Sequence, residues 1–408
     1  MKAGVGFARG KNAYECGLQA AANAVKSGSI NNPSFVLTCT TVDLDLQGYT
    51  RGVKSVLGDQ TPVAGATAVG VITNEGYSYE NGAAAVLVLE GGEAFRSTLV
   101  SDIDKDESKA GLRMANQLGV SPDDKLMLLL YDMIKHQSGK NQPLVFNSML
   151  KLLQGIGHKD DFSVPIFGAG LINSQNFGHS TMFLDDYADI NSALGIVIKG
   201  DFRIYSVSMH GCAPFDGIYH RITKKQDDII LELDGRPAAE LIDDIYQSKE
   251  WRNELPVKDL TIAQNTGAKY EIFRETNWIN RLIPGPSFSG SGIIIPEQDW
   301  QIGDEIQFMV RDNEEMLDSA WRNSKKLLRQ IFADGFEPVC GIYIDCAGRI
   351  ATFSNSLYDE AMFVQQAFDE LKIPLFGFYS GIELATVDGK CVAQEWTGLL
   401  IVITQDAG

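Results

Sequence analysis

Positive charge is scarce in this 408-residue chain, where 35 lysines and arginines stand against 53 aspartates and glutamates for a formal net charge of −18. A polyanion is held by clustered Lys and Arg that displace its counterions, so neither nucleic acid nor an anionic membrane surface is expected as a partner. Long apolar runs are missing as well. Nothing approaches the roughly 18 consecutive apolar residues of a membrane-spanning helix, and the start, MKAGVGFARGKNAYECG, has no apolar stretch of signal-peptide length. A cytoplasmic protein is the expectation. The six cysteines, Cys16, Cys39, Cys212, Cys340, Cys346 and Cys391, show no C-x-x-C or other ligand-like spacing, which leaves a structural zinc site without support and predicts reduced, mostly buried thiols. No nucleophile elbow, P-loop or covalent haem motif occurs.

What is present reads as a folded protein. Hydrophobic residues make up 44% and charged residues 22% of the chain, far from the signature of disorder. The length predicts two domains, and the boundary falls where the second apolar strand ends at Gly200 and Asp201, giving 1–200 and 201–408.

An internal repeat organises the chain. Residues 62–90 (PVAGATAVG…AAAVLVLE), 165–199 (PIFGAGL…ALGIVIK) and 374–403 (PLFGFYSGIEL…GLLIVI) each begin with Pro, an apolar residue, any residue and Gly. A short extended stretch, a polar Gly-containing turn and an apolar strand follow. Each copy is preceded by a short β-rich run (SFVLTCT, KLMLLLYDM, PVCGIYIDC) and a stretch with apolar residues at helical spacing, such as Phe363, Val364, Ala367, Phe368 and Leu371. The expected fold class is α/β, with repeated strand–helix–strand–hairpin units in two domains and sheets packed against helices. Between the second and third copies, 229–246 reads as strand, Gly turn and helix, and 300–332 as a strand running into a long helix. The repeated glycines either turn the chain or bring three Gly-rich loops onto a shared pocket.

At this level of detail the chain resembles the FIST proteins, which carry an N-terminal and a C-terminal FIST domain. PVAGATAVG is similar to the Gly-x-Ser/Thr-x-Gly loop of the first, ELDGRPA to the opening of the second, YIDCAGRIATF to its Ser-Cys-x-Gly-Arg segment and IPLFGFYSGIEL to its closing loop. Val71 stands where the family often carries Glu, Asp345 where it has Ser, and Ile382 where it has Gly before Glu383. The resemblance implies a small-ligand sensory protein for signal transduction. It further implies, from a stand-alone two-domain subgroup, haem-based nitric oxide sensing that modulates a partner histidine kinase, with a cyclase as another reader and a homo-oligomer as an assembly to test. A non-haem ligand such as an amino acid is the alternative.

Candidate site residues follow from chemistry and placement. Cys346, Gly348 and Arg349 follow an apolar strand, the end at which α/β proteins place ligand contacts. Arg349 offers a planar fork of donors for a carboxylate and would favour the thiolate of Cys346; otherwise it ties down a loop beside a buried thiol. Glu383 would pair with Arg349 or take a ligand amine. Thr67 and Asn173 suit a ligand or, with better support, a turn backbone, while Gly65 and Gly168 would let backbone amides approach a bound molecule. Haem would take an axial ligand from His136, His158, His179, His210 or His220, and His210, in the loop SMHGCAPFDG after the strand FRIYSVS, is the first choice. An enzyme would use Cys346 as nucleophile with His210 or Glu383 as base. The separated tryptophans Trp278, Trp300, Trp321 and Trp396 read as packing residues, and DIDKDESK at 102–109 as a solvated linker.

Overall fold

The computed structural model describes residues 1–92, 94–137, 144–157, 164–174, 176–297 and 299–407. Its first unit runs β1 (Lys2–Arg9), α1 (Ala13–Gly28), β2 (Phe35–Thr40), α2 (Leu46–Leu57), β3 (Val63–Thr67), a hairpin of β4 (Val71–Thr73) and β5 (Gly76–Ser78), and β6 (Ala83–Glu90). The second repeats the pattern with β7 (Ala94–Val100), α3 (Glu107–Leu118), β8 (Leu126–Asp132), the small ladder β9 (Ile134–His136) and β10 (Val145–Phe146), α4 (Met149–Ile156), β11 (Ile166–Leu171), β12 (Met182–Leu184), β13 (Tyr187–Asp189) and β14 (Ala193–Lys199).

The third unit opens with β15 (Arg203–Met209) and is interrupted by an insertion comprising β16 (Cys212–Pro214), β17 (His220–Gln226), β18 (Ile229–Leu233), β19 (Arg236–Pro237), α5 (Ala238–Tyr246), β20 (Leu260–Asn265), β21 (Trp278–Arg281), β22 (Ile293–Ile294) and β23 (Glu305–Arg311). It resumes with α6 (Asn313–Ala333), β24 (Phe336–Cys346), α7 (Ala351–Ser354), α8 (Ala361–Asp369), β25 (Leu375–Ser380), β26 (Ile382–Val387), β27 (Lys390–Gln394) and β28 (Gly398–Asp406). The α/β class and the three-fold use of one unit are therefore as the sequence predicts. The charge run at 102–109 is more than a linker: Asp106 caps α3 through the backbone N–H of Lys109, and Glu107 sits in its first turn, where the helix dipole favours an acid.

Each unit builds one six-stranded sheet, and each lends its hairpin to another unit. The orders are β1-β6-β2-β3-β12-β13, β7-β14-β8-β11-β26-β27 and β15-β28-β24-β25-β4-β5. The hairpin of the first unit thus completes the third sheet, that of the second completes the first, and that of the third completes the second. This exchange closes a ring. Gly200 and Asp201 lie between β14 and β15, at the junction of the second and third units, and the ring joins segments from both sides of it.

The equivalence extends to single hydrogen bonds. The carbonyls of Pro62, Pro165 and Pro374 accept from Val36, Met127 and Gly341, and Thr41, Asp132 and Cys346 donate to Ala83, Ser192 and Thr397. Inward-facing residues Leu37, Leu128 and Ile342, with Ala66, Ala169 and Phe378, meet in one apolar core shared by the three sheets, while the helices cover the outer faces. The axis of the ring is packed side chains.

The Pro-x-x-Gly glycine has one job in all three units. Gly65, Gly168 and Gly377 face Thr38, Leu129 and Tyr343 across the parallel pair, and a Cβ at any of them would strike the carbonyl oxygen of that partner. Only Gly permits the approach.

Candidate functional site

A cavity of about 130 Å³ opens where the third unit meets the second and the insertion. Its floor is Cys346, Ala347 and Gly348 at the end of β24, with Ser380 and Gly381 at the end of β25. Phe353 and Trp396 form aromatic walls, Ile172 and Phe177 come from the loop after β11, and Leu255, Pro256 and Leu282 of the insertion lie over the top. None of these side chains carries a charge. The first unit contributes none of the lining residues, so two of the three repeated loops converge here rather than three.

Trp396 stands out on backbone grounds. In each unit the residue just ahead of the carbonyl that accepts from Thr41, Asp132 or Cys346 has a positive φ: Gly82 at 79°, Asn191 at 45° and Trp396 at 53°. Gly and Asn are ordinary occupants of that left-handed conformation, whereas a bulky side chain there stores strain on the order of 1 kcal/mol or more. Arg349 holds it in place, donating through Nη1 to the carbonyl of Trp396 at 2.6 Å. Gly348 lets the indole lie against the turn, since a Cβ there would enter the Trp396 ring. The guanidinium of Arg311 covers the indole at 4.3 Å, and Trp396 Nε1 has no partner among the described residues.

Arg349 is fully buried. Its Nε donates to Glu360 at 2.7 Å, Nη2 lies against the same carboxylate, and Nη1 also reaches the carbonyl of His210 at 2.9 Å. Of its two sequence readings the structure displays the tie. The expected pair with Glu383 is not formed, because Glu360, which sequence reasoning passed over, takes the guanidinium instead. Glu360 also accepts from Tyr343 Oη at 2.8 Å. No spacing signal could have singled it out, since it precedes α8 in a run of apolar and polar residues like many others.

Cys346 is a neutral thiol. Burial pushes its pKa well above the usual thiol value and the Glu383 carboxyl adds to the effect, so the thiolate expected beside Arg349 is not favoured. Glu383 is itself driven well up, first by burial; its Oε1 accepts from Ser380 Oγ at 2.6 Å while Oε2 has no hydrogen-bond partner among the described residues. The pairing register gives Val71 in the first unit the place that Glu383 holds in the third. Asp345 is fully buried, and neither of its oxygens makes a hydrogen bond among the described residues. Burial and then Glu360 raise it well above the carboxylate range, overriding Arg349 at 3.4 Å. Its counterparts Thr40 and Tyr131 also carry buried, unpartnered oxygens.

The remaining candidates do local work. Thr67 receives the second unit's hairpin, accepting from the backbone of Thr181 at 2.8 Å through Oγ1 and donating N–H to the Thr181 carbonyl at 2.9 Å. Asn173 closes its own turn, with N–H to Gly178 at 3.1 Å and Nδ2 to the His179 carbonyl at 2.5 Å. Neither lines the cavity, nor do Gly65 and Gly168. Leu255, Pro256 and Leu282 escaped sequence reading altogether, because nothing in the insertion's sequence says which of its loops folds over the ring.

The described histidines are each engaged elsewhere or lie away from the cavity. His210 is 1% exposed; its Nδ1 accepts from the backbone of Cys212 at 2.9 Å and Nε2 meets the Glu275 carbonyl at 3.2 Å, and burial lowers its pKa. His179 bonds Asp132 at 2.7 Å and His220 bonds Asp234 at 2.8 Å, His136 is exposed on β9, and His158 lies outside the described residues. None of the described histidines lines the cavity, whose volume is also below the roughly 300–1,000 Å³ of sites that take large ligands. Among the described residues no cluster of three or more His, Cys, Asp or Glu is arranged to hold a metal ion. All six cysteines are buried and none forms a disulfide.

Comparison with known families decides the relationship. The FIST N domain matches residues 34–236 and the FIST C domain residues 238–386. The chain belongs to the FIST family. FIST domains are small-ligand sensory domains of signalling proteins, and in this FIST protein the cavity lies among segments of both matches and the part of the FIST C match that forms the insertion. No curated protein matches the chain. Among solved structures it is similar to cyanuric acid hydrolase from A. caulinodans at 8% identity, over 68% of this chain and 83% of that one, with a TM-score of 0.27. It is also similar to PurL of T. maritima complexed with ATP at 9% identity, over 99% and 72%, with a TM-score of 0.21. Likeness this slight carries no argument about activity. Among the described residues no helix is long and apolar enough to cross a membrane.

Proposed function

We propose that this FIST protein senses a small, uncharged, largely apolar molecule in the cavity at the junction of ring and insertion, and reports occupancy to a signalling partner without turning the ligand over. The observation that carries the reading is Trp396: a bulky side chain kept at a left-handed position, where the other units have Gly and Asn, and placed by that conformation on the cavity wall. Strain of this kind persists where function selects it. The lid residues Leu255, Pro256 and Leu282 belong to the insertion, so a ligand with differential affinity for two placements of the insertion shifts their populations.

The chemistry of the wall narrows the ligand. A zwitterionic amino acid finds no charged side chain there, and a haem version finds no described histidine on the wall. Cysteine catalysis would need Cys346 as thiolate, against the direction in which burial and Glu383 push it. A histidine kinase or a cyclase is the class of reader to test by co-purification with and without ligand.

A melting-temperature screen checks the proposal, because a ligand selective for the folded state stabilises it by mass action. Uncharged apolar compounds should raise the melting temperature and perturb Trp396 fluorescence, the perturbation vanishing in Trp396→Phe. Stabilisation by charged metabolites alone, or a haem spectrum on addition of haemin, overturns it.

A further inference from the structure

The insertion carries a second cleft, of about 200 Å³, that shares no lining residue with the first cavity. Four aromatic rings build it in sequence: Tyr270 meets Tyr219 edge-on at 6.2 Å, Tyr219 stacks with Trp278 at 6.1 Å, and Trp278 meets Phe273 at 6.0 Å. Packed rings on one small domain would serve as core if they were covered, yet Tyr270 is 87% exposed and its neighbour Ile272 88%. Apolar surface of this kind marks a binding site more often than a bare exterior. The floor is polar at one point. Gln307 is 3% exposed and lines the cleft; its Nε2 donates to the Gly217 carbonyl at 3.0 Å, and its Oε1 has no hydrogen-bond partner among the described residues.

Charge settles what the cleft does not want. The nearest ammonium, Lys269, already lies over the Tyr219 ring at 4.6 Å and pairs with Glu305 at 2.6 Å, so the ring faces have their cation and the cation has its carboxylate. At the rim Glu271 and Arg274 carry opposite signs. Ring surface open to a flat partner remains on Tyr270 and Phe273, 87% and 41% exposed, and Gln307 Oε1 is left to accept a proton donor.

We infer that this cleft is a second small-molecule site, taking a planar, uncharged ring system that offers one N–H or O–H donor to Gln307 Oε1. Ring stacking supplies the affinity. The hydrogen bond supplies the selectivity, because an analogue without the donor leaves a buried acceptor unpaired.

Indole and N-methylindole form a matched pair of probes, equally flat and differing in that donor. The chain has five tryptophans, so protein labelled with fluorotryptophan gives separate fluorine resonances for Trp278 and Trp396, assigned with Trp278→Phe and Trp396→Phe. Titration read at Trp278 should show indole binding about fivefold more tightly than N-methylindole, the factor that one ordinary hydrogen bond supplies. The preference should disappear in Gln307→Met, and Tyr270→Ala, at an exposed position that leaves the core intact, should weaken both probes about tenfold. A Trp278 resonance unmoved by either probe overturns the inference. So does equal affinity for the two probes, or a preference that survives in Gln307→Met.

Discussion

Arg349 Nη1 donates to the carbonyl oxygen of Trp396 at 2.6 Å and to that of His210 at 2.9 Å, so one guanidinium fixes both the strained wall of the cavity and the strand that leads into the insertion. Ligand occupancy at Trp396 and placement of the insertion therefore share a support. The remaining arms of Arg349 are held by Glu360, and nothing solvates the group from outside.

Arg349→Lys should accordingly cost about 3–5 kcal/mol of unfolding free energy, the range for breaking a buried ion pair and leaving its carboxylate alone. A point-charge ammonium cannot span Glu360 and two carbonyls at once. Urea titration gives the stability, and the ligand-induced rise in melting temperature should be lost with it. Unchanged stability with loss of ligand response alone would instead make Arg349 a pure ligand contact.

Asp345 behaves in the opposite sense. Its carboxyl binds a proton more tightly folded than unfolded, burial being the main cause, so the stability it lends is present at low pH and declines as pH rises above the ordinary value of 3.8. Asp345→Asn keeps the shape and removes the titration. The variant should be more stable than the parent at pH 8 by about 1–3 kcal/mol and should show a flatter stability–pH curve, measured by denaturant unfolding at several pH values.

Thr67 separates a structural from a ligand role. Thr67→Val removes the acceptor for Thr181 N–H and should cost about 1–2 kcal/mol, while the ligand-induced shift in melting temperature stays the same. Loss of that shift at unchanged stability would put Thr67 in the site.

The repeat was legible because the physics is local and strict: a glycine is needed wherever two parallel strands approach as closely as Gly65 and Thr38, Gly168 and Leu129 or Gly377 and Tyr343 do, and a Pro stands immediately ahead of each of those strands. The apolar strands and the helices after them follow from periodicity. Hairpin exchange was not legible. The paired segments lie far apart in the chain, as with Gly377 and Ile72, and strands of three residues such as β4 and β12 carry too little pattern to announce a partner. In the site, Cys346, Gly348 and Arg349 were found by their place after β24, although Arg349 turned out to face Glu360. Trp396 read as packing because a positive φ leaves no mark on a sequence when the residue is not Gly or Asn.

The junction of insertion and ring should also loosen as pH rises, and the sign follows from two buried acids. Glu297 accepts from the backbone of Met149 at the start of α4 and Glu395 from that of Leu282, at 3.0 and 2.9 Å, with Arg281 between them and Asp299 beside it. One buried guanidinium cannot neutralise three carboxylates. Burial first of all raises Glu297 to about 8 and Glu395 to about 7, against an ordinary 4.5. Both groups bind protons more tightly in the folded chain than in the unfolded one, so their stabilising effect is fully present below pH 4.5 and is lost as pH climbs through 7 and then 8. Between those limits stability should fall by a few kcal/mol, roughly the scale of a buried carboxyl shifted by this much. Glu297→Gln retains a carbonyl oxygen for Met149 N–H and should flatten the upper part of the curve. Hydrogen exchange across pH 6 to 9 localises the effect: amides of Leu282 and of the first turn of α4 should lose protection before those of the shared ring core, and simultaneous loss everywhere would show that the acids act on the whole fold rather than on the junction.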